Sequence, residues 1–386
     1  MSSTLSNIGV LPCPHAPCLY SGRPIAGEPP LYLALYVDDF VYFSASDSVE
    51  RAFEYKLTQS LKVDFFGCAT WFLGISFAWD TSDLPLHLSV HLNQSAFILH
   101  LLQIHDMMDC VPASSPFRSG LPIDRVPSSE LTPAQQAHLN SVLQSFNGSF
   151  IWLSTCTRPD LSVITSQLCA YNHKASAGLL DAARYVLRYL KGSPHHGISF
   201  SSRHPTPLHT FINLPPNLTP SSEPSHHLIT FSDANWGPQD ASNPDPSLPV
   251  LLPVSDTRSI SGYVSIRSGG PVQWGVTKQR RSARSSAESE IVAMDEATKA
   301  TQALRLVLED LSLADTSNPT PIYVDNQASI KWSHNCCFAI IVVLPFKVKF
   351  FRSNLVTPSP FTNGRNAFHI ILSENQQISH ILNYFF

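Results

Sequence analysis

LYLALYVDDFVYFS, Leu31 to Ser44, sets two aromatic-rich apolar runs on either side of the dipeptide Asp38-Asp39. Apolar runs joined by so short a polar break read as a β-hairpin. Aspartate tolerates the left-handed geometry of a tight turn, so an ordinary solvated turn accounts for the pair. Paired carboxylates at a hairpin tip also suit a divalent metal, because Mg²⁺ is held by one or two carboxylates together with substrate phosphates. The motif alone leaves both readings open, and the surrounding sequence has to decide.

Around the hairpin lies a chain of 386 residues, room for two or three domains at about 150 residues each. Hydrophobic residues make up 43%, enough for buried cores, and charged residues only 14%, against about 25% in ordinary soluble domains. A net charge of −4 excludes a polycationic nucleic-acid coat and confines any nucleic-acid contact to local patches. Met1 to Val10 lacks the basic start and apolar core of a secretory signal. The late apolar run Phe338 to Pro345 is far shorter than the ~20 residues of a membrane helix. An intracellular chain, cytoplasmic or nuclear and without a membrane span, is therefore expected. The eight cysteines form no C-x-x-C pair. Cys13, His15 and Cys18 lie close together, but no second ligand pair follows, so they read as reduced and unrelated. The Pro/Ser/Asn-rich stretches Pro205 to Pro224 and Asn243 to Pro253 read as linker or inserted loop.

The neighbourhood of the hairpin resembles the reverse transcriptase of copia-type retrotransposon polyproteins over most of residues 9 to 332. Tyr36-Val37-Asp38-Asp39 looks like the polymerase's catalytic hairpin, preceded by Ala16-Pro17-Cys18-Leu19 and followed by Phe72-Leu73-Gly74-Ile75. Leu88-Ser89 with Gln94, Met108-Asp109 with Pro112, Thr157-Arg158-Pro159-Asp160-Leu161 and Arg188-Tyr189-Leu190-Lys191-Gly192 continue the family's order. The resemblance makes Asp38 a metal ligand and Asp39 its support. The family's other metal-binding aspartate lies upstream of this hairpin, in a segment that precedes residue 1, so poor metal affinity is expected at the tip.

Apolar periodicity predicts helices from Thr132 through Leu153, Arg158 through Tyr171 and Ala175 to Leu190. On the third, Arg184, Arg188 and Lys191 share one face. Within the resemblance they are expected to track nucleic-acid phosphates; on pattern alone they are a solvated helix face.

A second acid cluster begins at Leu228-Ile229-Thr230-Phe231-Ser232-Asp233, an extended run ending in a carboxylate. Strands around Ser261 to Arg267 and Val272 to Gly275, a long helix from Ser286 to Leu311 and a strand from Pro321 to Val324 follow, the last ending at Asp325. This order resembles ribonuclease H, the module that follows reverse transcriptase in copia-type elements. Its landmarks match Ser232-Asp233-Ala234-Asn235-Trp236, Ser261-Gly262-Tyr263, Ala283 to Glu290 and Val324-Asp325-Asn326. The resemblance implies that Asp233, one glutamate and Asp325 ligate metal. Helix geometry chooses the glutamate. At 100° per residue, Ala287, Ile291, Met294, Ala297, Leu304, Leu308 and Leu311 define an apolar stripe that contains Glu290, while Glu288 points roughly 140° away. Ser285-Ser286-Ala287-Glu288 fits a capping box, which accounts for Glu288. Lys278, Arg280, Arg281 and Arg284 lie just upstream, placed to meet the phosphates of an RNA·DNA hybrid; pairing with Glu290 is their bland alternative.

The resulting expectation is an α+β chain: a truncated polymerase palm with helical thumb and connection, followed by an α/β ribonuclease H-like domain. The boundaries are palm 1–115, thumb and connection 116–204, linker 205–225, ribonuclease H-like domain 226–332 and an unrelated tail 333–386. The resemblance implies Mg²⁺, with Mn²⁺ as substitute, and as partners an RNA template, an RNA·DNA hybrid and other retroelement polyprotein segments. The competing expectation is a catalytically inactive retroelement relic that at most binds nucleic acid.

Overall fold

The computed structural model describes residues 2–82, 88–117, 131–202, 228–235, 258–314, 320–327 and 329. The linker expected at 205–225, Trp236, Trp332 and the tail from Ser333 lie outside them. The described residues form a mixed α+β protein with two compact units, one gathering those up to Phe72 with those of Lys299–Asn318, the other gathering the rest. Among the described residues no helix is long and apolar enough to cross a membrane.

In the first unit, α1 (Ser2–Ile8) leads into four antiparallel strands, β1 (Val10–Cys13), β2 (Ala16–Gly22), β3 (Leu31–Tyr36) and β4 (Asp39–Ser44), in that spatial order. α2 (Asp47–Thr58) follows, and β5 (Trp71–Phe72) comes last before the second unit. Period-two alternation sends Leu31 and Leu33 of β3 inward, where they meet Val49, Phe53 and Leu57 of α2, spaced four apart on one helix face. Leu5, Ile8, Val10 and Tyr20 complete that core.

The hairpin pairs Leu31 with Ser44 through Tyr36 with Asp39, so the two turn residues are Val37 and Asp38. The sequence pointed to aspartate as the left-handed residue; the structure gives that conformation to Val37, at φ 55°. A β-branched residue there is a steric outlier costing about 1–3 kcal/mol, and Val37 is also 75% exposed. Asp39 opens β4 rather than capping the turn.

The second unit begins with β6 (Ile75–Asp80) and β7 (Ser89–Asn93), then α3 (Ser95–Ile104), α4 (Pro133–Cys156), a 3-10 turn at Pro159–Leu161, α5 (Ser162–Cys169), α6 (Ala177–Gly192) and β8 (Gly197–Ser201). β7 lies between β6 and β8, antiparallel to both. α4 starts where the sequence predicts. Thr132 accepts a hydrogen bond from the Gln135 N–H while Gln135 returns to the Thr132 N–H, a complete capping box with proline at the first turn. Ile98, Leu102, Leu143, Phe150, Leu153, Ile164, Leu168 and Leu187 pack the helices into one core.

At the join of these helices sits Arg158, 1% exposed. Its guanidinium forks onto Asp160 at 2.7–3.2 Å and donates to the Ser193 carbonyl and Oγ, each at 2.9 Å. Tyr189 donates to Asp160 at 2.8 Å, and its ring lies under the guanidinium. Thr157, one residue earlier, donates to buried Gln94 at 2.8 Å.

The remaining elements are β9 (Ile229–Asn235), β10 (Ile260–Arg267), β11 (Gly270–Lys278), α7 (Ser286–Asp310) and β12 (Ile322–Tyr323). Their sheet runs β11-β10-β9-β12, with β12 parallel to β9 and the other pairs antiparallel. Trp274 of β11 donates to the Ser154 carbonyl of α4 at 2.7 Å. A Cβ at Gly270 would collide with the Ser199 carbonyl, so glycine is what lets the β10–β11 turn lie against β8.

Removing one partner of a buried, hydrogen-bonded pair costs about 3–5 kcal/mol. Arg158→Met is therefore expected to lower the denaturant midpoint by that order, and Arg158→Lys to recover less than half, because an ammonium cannot reproduce the fork. Unshifted unfolding of the methionine variant would refute this.

Candidate metal centre

β9 is an inner strand of its sheet, and its apolar residues Phe231 and Ala234 are buried. β12 pairs in parallel, Ile322 beside Thr230 and Tyr323 beside Phe231. Asp325 lies two residues beyond the last pair of β12, and Asp233 two residues beyond Phe231 on β9. Period two keeps Phe231 and Asp233 on one face, as it does Tyr323 and Asp325. The Phe231 and Tyr323 rings stack with centroids 5.1 Å apart, which fixes that shared face. Gly262 of β10 stands opposite Asp233 and adds no side chain beside it.

The third carboxylate comes from α7. Ser285 Oγ accepts the Glu288 N–H at 3.2 Å, as a cap should. The Glu288 carboxylate, however, accepts from the Arg284 N–H at 2.7 Å, one residue before the Ser285 N–H that a full capping box requires. Glu290 is 5% exposed. The buried line along α7 also differs from the predicted stripe. It includes Ala287, Glu290, Ala293, Ala297, Thr301, Arg305 and Leu308, whereas Ile291, Met294 and Leu304 are only half-buried. Small side chains permit close packing, so alanines rather than the largest apolar residues turn inward.

Asp233, Glu290 and Asp325 bring carboxylate oxygens within 4.8 Å of one another. Burial raises the Glu290 carboxyl far above the ordinary carboxylate range, and the Asp233 and Asp325 charges raise it further. Asp233 is raised by burial and then by Asp325, partly opposed by the Ala234 N–H, which donates to it at 2.8 Å. Asp325, at the open edge, is raised by burial as well. Glu290 Oε2 is buried with no hydrogen-bond partner among the described residues. Hard oxygen donors with one unsatisfied buried oxygen fit Mg²⁺ or Mn²⁺, which would supply the missing partner.

The basic segment leads straight into this helix. Arg280, Arg281 and Arg284 are exposed and Lys278 is half-buried. Gln279 fixes their backbone: its buried Nε2 donates to Ser261 Oγ and to the Ser289 carbonyl, each at 2.9 Å. Nothing in the sequence singled out that glutamine, because its partners are defined only by the fold.

The other predicted residues are placed differently. Arg184 pairs with Asp181 at 3.0 Å on the surface. Arg188 donates to the Val111 carbonyl at 2.7 Å, and Lys191 to the Met108 carbonyl. The Ala113 N–H in turn donates to the Arg188 carbonyl at 3.1 Å. Two of the three cations read as a phosphate track thus clamp the segment after α3 onto α6. Asp38 and Asp39 are exposed at the hairpin tip, and among the described residues no further histidine, cysteine or carboxylate completes a metal-sized group with them.

No family model and no solved structure matches the chain. It is 26% identical over 300 residues, 78% of its own length, to the retrovirus-related Pol polyprotein from transposon RE1 of Arabidopsis thaliana, and covers 17% of that protein. With the corresponding polyprotein from transposon TNT 1-94 of Nicotiana tabacum it shares 23% over 323 residues, 83% of this chain and 21% of the relative. An uncharacterized mitochondrial protein of Arabidopsis thaliana is 25% identical over 264 residues, 68% of this chain and 90% of that one. The chain therefore spans about a fifth of the length of the transposon polyproteins it matches. With motifs and relatives in agreement, the chain is similar over about four fifths of its length to part of the Pol polyproteins of copia-type retrotransposons.

Proposed function

We propose that residues 228–327 act as a ribonuclease H-like, metal-dependent nuclease that cleaves the RNA strand of an RNA·DNA hybrid within a retroelement polyprotein. The observation that carries this reading is the convergence of Asp233, Glu290 and Asp325, whose carboxylate oxygens lie within 4.8 Å of one another. Mg²⁺ or Mn²⁺ bound there would activate water and neutralise charge at the scissile phosphate. The three carboxylates offer the oxygens that hold and orient that ion. Arg280, Arg281 and Arg284, exposed on the segment pinned by Gln279, meet hybrid phosphates and set the register of the strand. The crowding of buried carboxylates keeps the group partly protonated without a cation, so a cation and the proton compete for it.

Cleavage of a labelled hybrid with Mg²⁺ or Mn²⁺ tests the reading directly. Asp233→Asn and Glu290→Gln should each lower the rate about 10²–10³-fold, the scale of losing one preorganised electrostatic group. Arg280→Ala with Arg281→Ala should weaken hybrid binding and flatten its salt dependence. A parent without metal-dependent cleavage favours the inactive relic, and cleavage indifferent to Glu290→Gln would refute the assignment of the carboxylate cluster as the site.

The raised carboxyls also set a pH dependence of stability. A group whose pKa is higher in the folded state than in the unfolded one contributes most below the unfolded value, near 4, and its contribution is lost as pH rises through the folded value. The metal-free protein should therefore lose thermal stability as pH rises from the acid range through neutrality. Glu290→Gln should flatten that loss, and Mg²⁺ or Mn²⁺ should reverse it in the parent only.

From the resemblance we also propose that the hairpin of this chain alone does not support polymerisation. Primer extension on an RNA template should be undetectable with either metal and unchanged by Asp38→Asn. Extension that disappears in Asp38→Asn would show a functional polymerase site.

A further inference from the structure

Gln279 follows directly on β11 and is buried, although Arg280 after it is exposed. Its backbone N–H donates to the Ser259 carbonyl at 2.8 Å. Both hydrogens of its side-chain amide are committed as well, one to Ser261 Oγ on β10 and one to the Ser289 carbonyl in the first turn of α7. Ser261 stands opposite Ala234 in the β9–β10 register, and the Ala234 N–H donates to the Asp233 carboxylate. Ser289 immediately precedes Glu290. One planar amide therefore links the strand paired beside Asp233 to the helical turn that carries Glu290. Ser259, Ser261 and Ser289 are buried too, so water has little access to stand in for that amide.

We propose that Gln279 is a positioning residue for the carboxylate cluster: its amide sets how Glu290 stands against Asp233, and hence how tightly the pair holds Mg²⁺ or Mn²⁺. The inference rests on the reading of that cluster as a cation site. An ion of this class demands near-ideal distances to its oxygens. Carboxyls that are to share one ion crowd each other before it arrives, so another contact has to hold their carriers in place. A glutamine suits the task, because one nitrogen offers two donors in a fixed plane and adds no charge. An ionised glutamate has no donor, and a lysine would bring an ammonium into a buried layer. The Ser289 carbonyl has two lone pairs and accepts this bond beside any helical one. Gln279 also anchors the segment of Arg280, Arg281 and Arg284, so its loss has two separable consequences, one for hybrid affinity and one for cation affinity.

Mn²⁺ binding to the full-length protein without nucleic acid isolates the second. Free Mn²⁺ gives a sharp six-line paramagnetic-resonance spectrum that loses intensity as the ion binds, and the difference from Glu290→Gln is the share held by the cluster. Gln279→Met, unbranched and without donors, should raise the Mn²⁺ dissociation constant of the cluster about tenfold or more, the scale of losing a group that orients a metal ligand. The measurement is made well below the unfolding midpoint of the variant. Ser261→Ala removes one acceptor and keeps the amide, so it should raise the constant by a smaller factor, and it decides the matter if Gln279→Met does not fold. An unchanged constant in the folded variants would overturn the proposal and leave Gln279 an anchor of the basic segment alone, read as weaker hybrid binding with intact cation binding. A parent that holds no more Mn²⁺ than Glu290→Gln would overturn the cation reading of the cluster, and this inference with it.

Discussion

A guanidinium enclosed by helices is tolerable only when its hydrogen bonds are met inside the protein, and Arg158 meets that condition with Asp160 and Ser193. The requirement fixes where several elements end. Ser193 must follow α6 directly, Asp160 must sit within the 3-10 turn, and Tyr189 must face the pair. Thr157 carries the same constraint to Gln94 at the start of α3. Once α4 is placed in this way, its Ser154 carbonyl receives the Trp274 indole, and the sheet that bears Asp233 is anchored to the helical frame. The conspicuous TRPDL motif thereby has a structural explanation, independent of any chemistry.

The carboxylate cluster works against that stability. Three carboxyls within a few ångströms, one of them buried, resist full ionisation in the metal-free fold, and the surrounding strands hold them together. β9 has a neighbour on each side, and the Phe231–Tyr323 stack lies immediately before the two aspartates. Carboxyls raised in this way on a well-paired scaffold are the pattern on which the proposed function rests.

Much of this was legible in the sequence because short-range rules govern it. The extended run to Asp233 and the strand before Asp325 announced two carboxylates at strand ends. A 100° step set Glu290 on a different face from Glu288, although neither the full capping box nor the apolar stripe used for that choice is the one in the structure. What was hidden depends on partners distant in sequence. Arg188 and Lys191 looked like a phosphate track because nothing local reveals that they hold the carbonyls of Val111 and Met108. The inward face of α7 was misplaced by weighting side-chain size over closeness of packing. Val37 took the left-handed turn position because the register Tyr36–Asp39 imposes it, against its own preference. Asp310 gave no sign of meeting Cys13 and His15, since 297 residues separate the aspartate from the cysteine.

β12 contributes only two paired residues, in the parallel geometry that is the weaker per residue, and at the edge of its sheet. Asp325 follows directly on that short pairing, whereas Asp233 and Glu290 stand on long, well-supported elements. Closure of the carboxylate triad and docking of this edge are consequently one equilibrium. If the triad holds a cation as proposed, whatever the polypeptide does immediately beyond Asp325 would enter that cation's dissociation constant, so a partner that grips or peels this edge would act as an allosteric effector without touching a ligand atom.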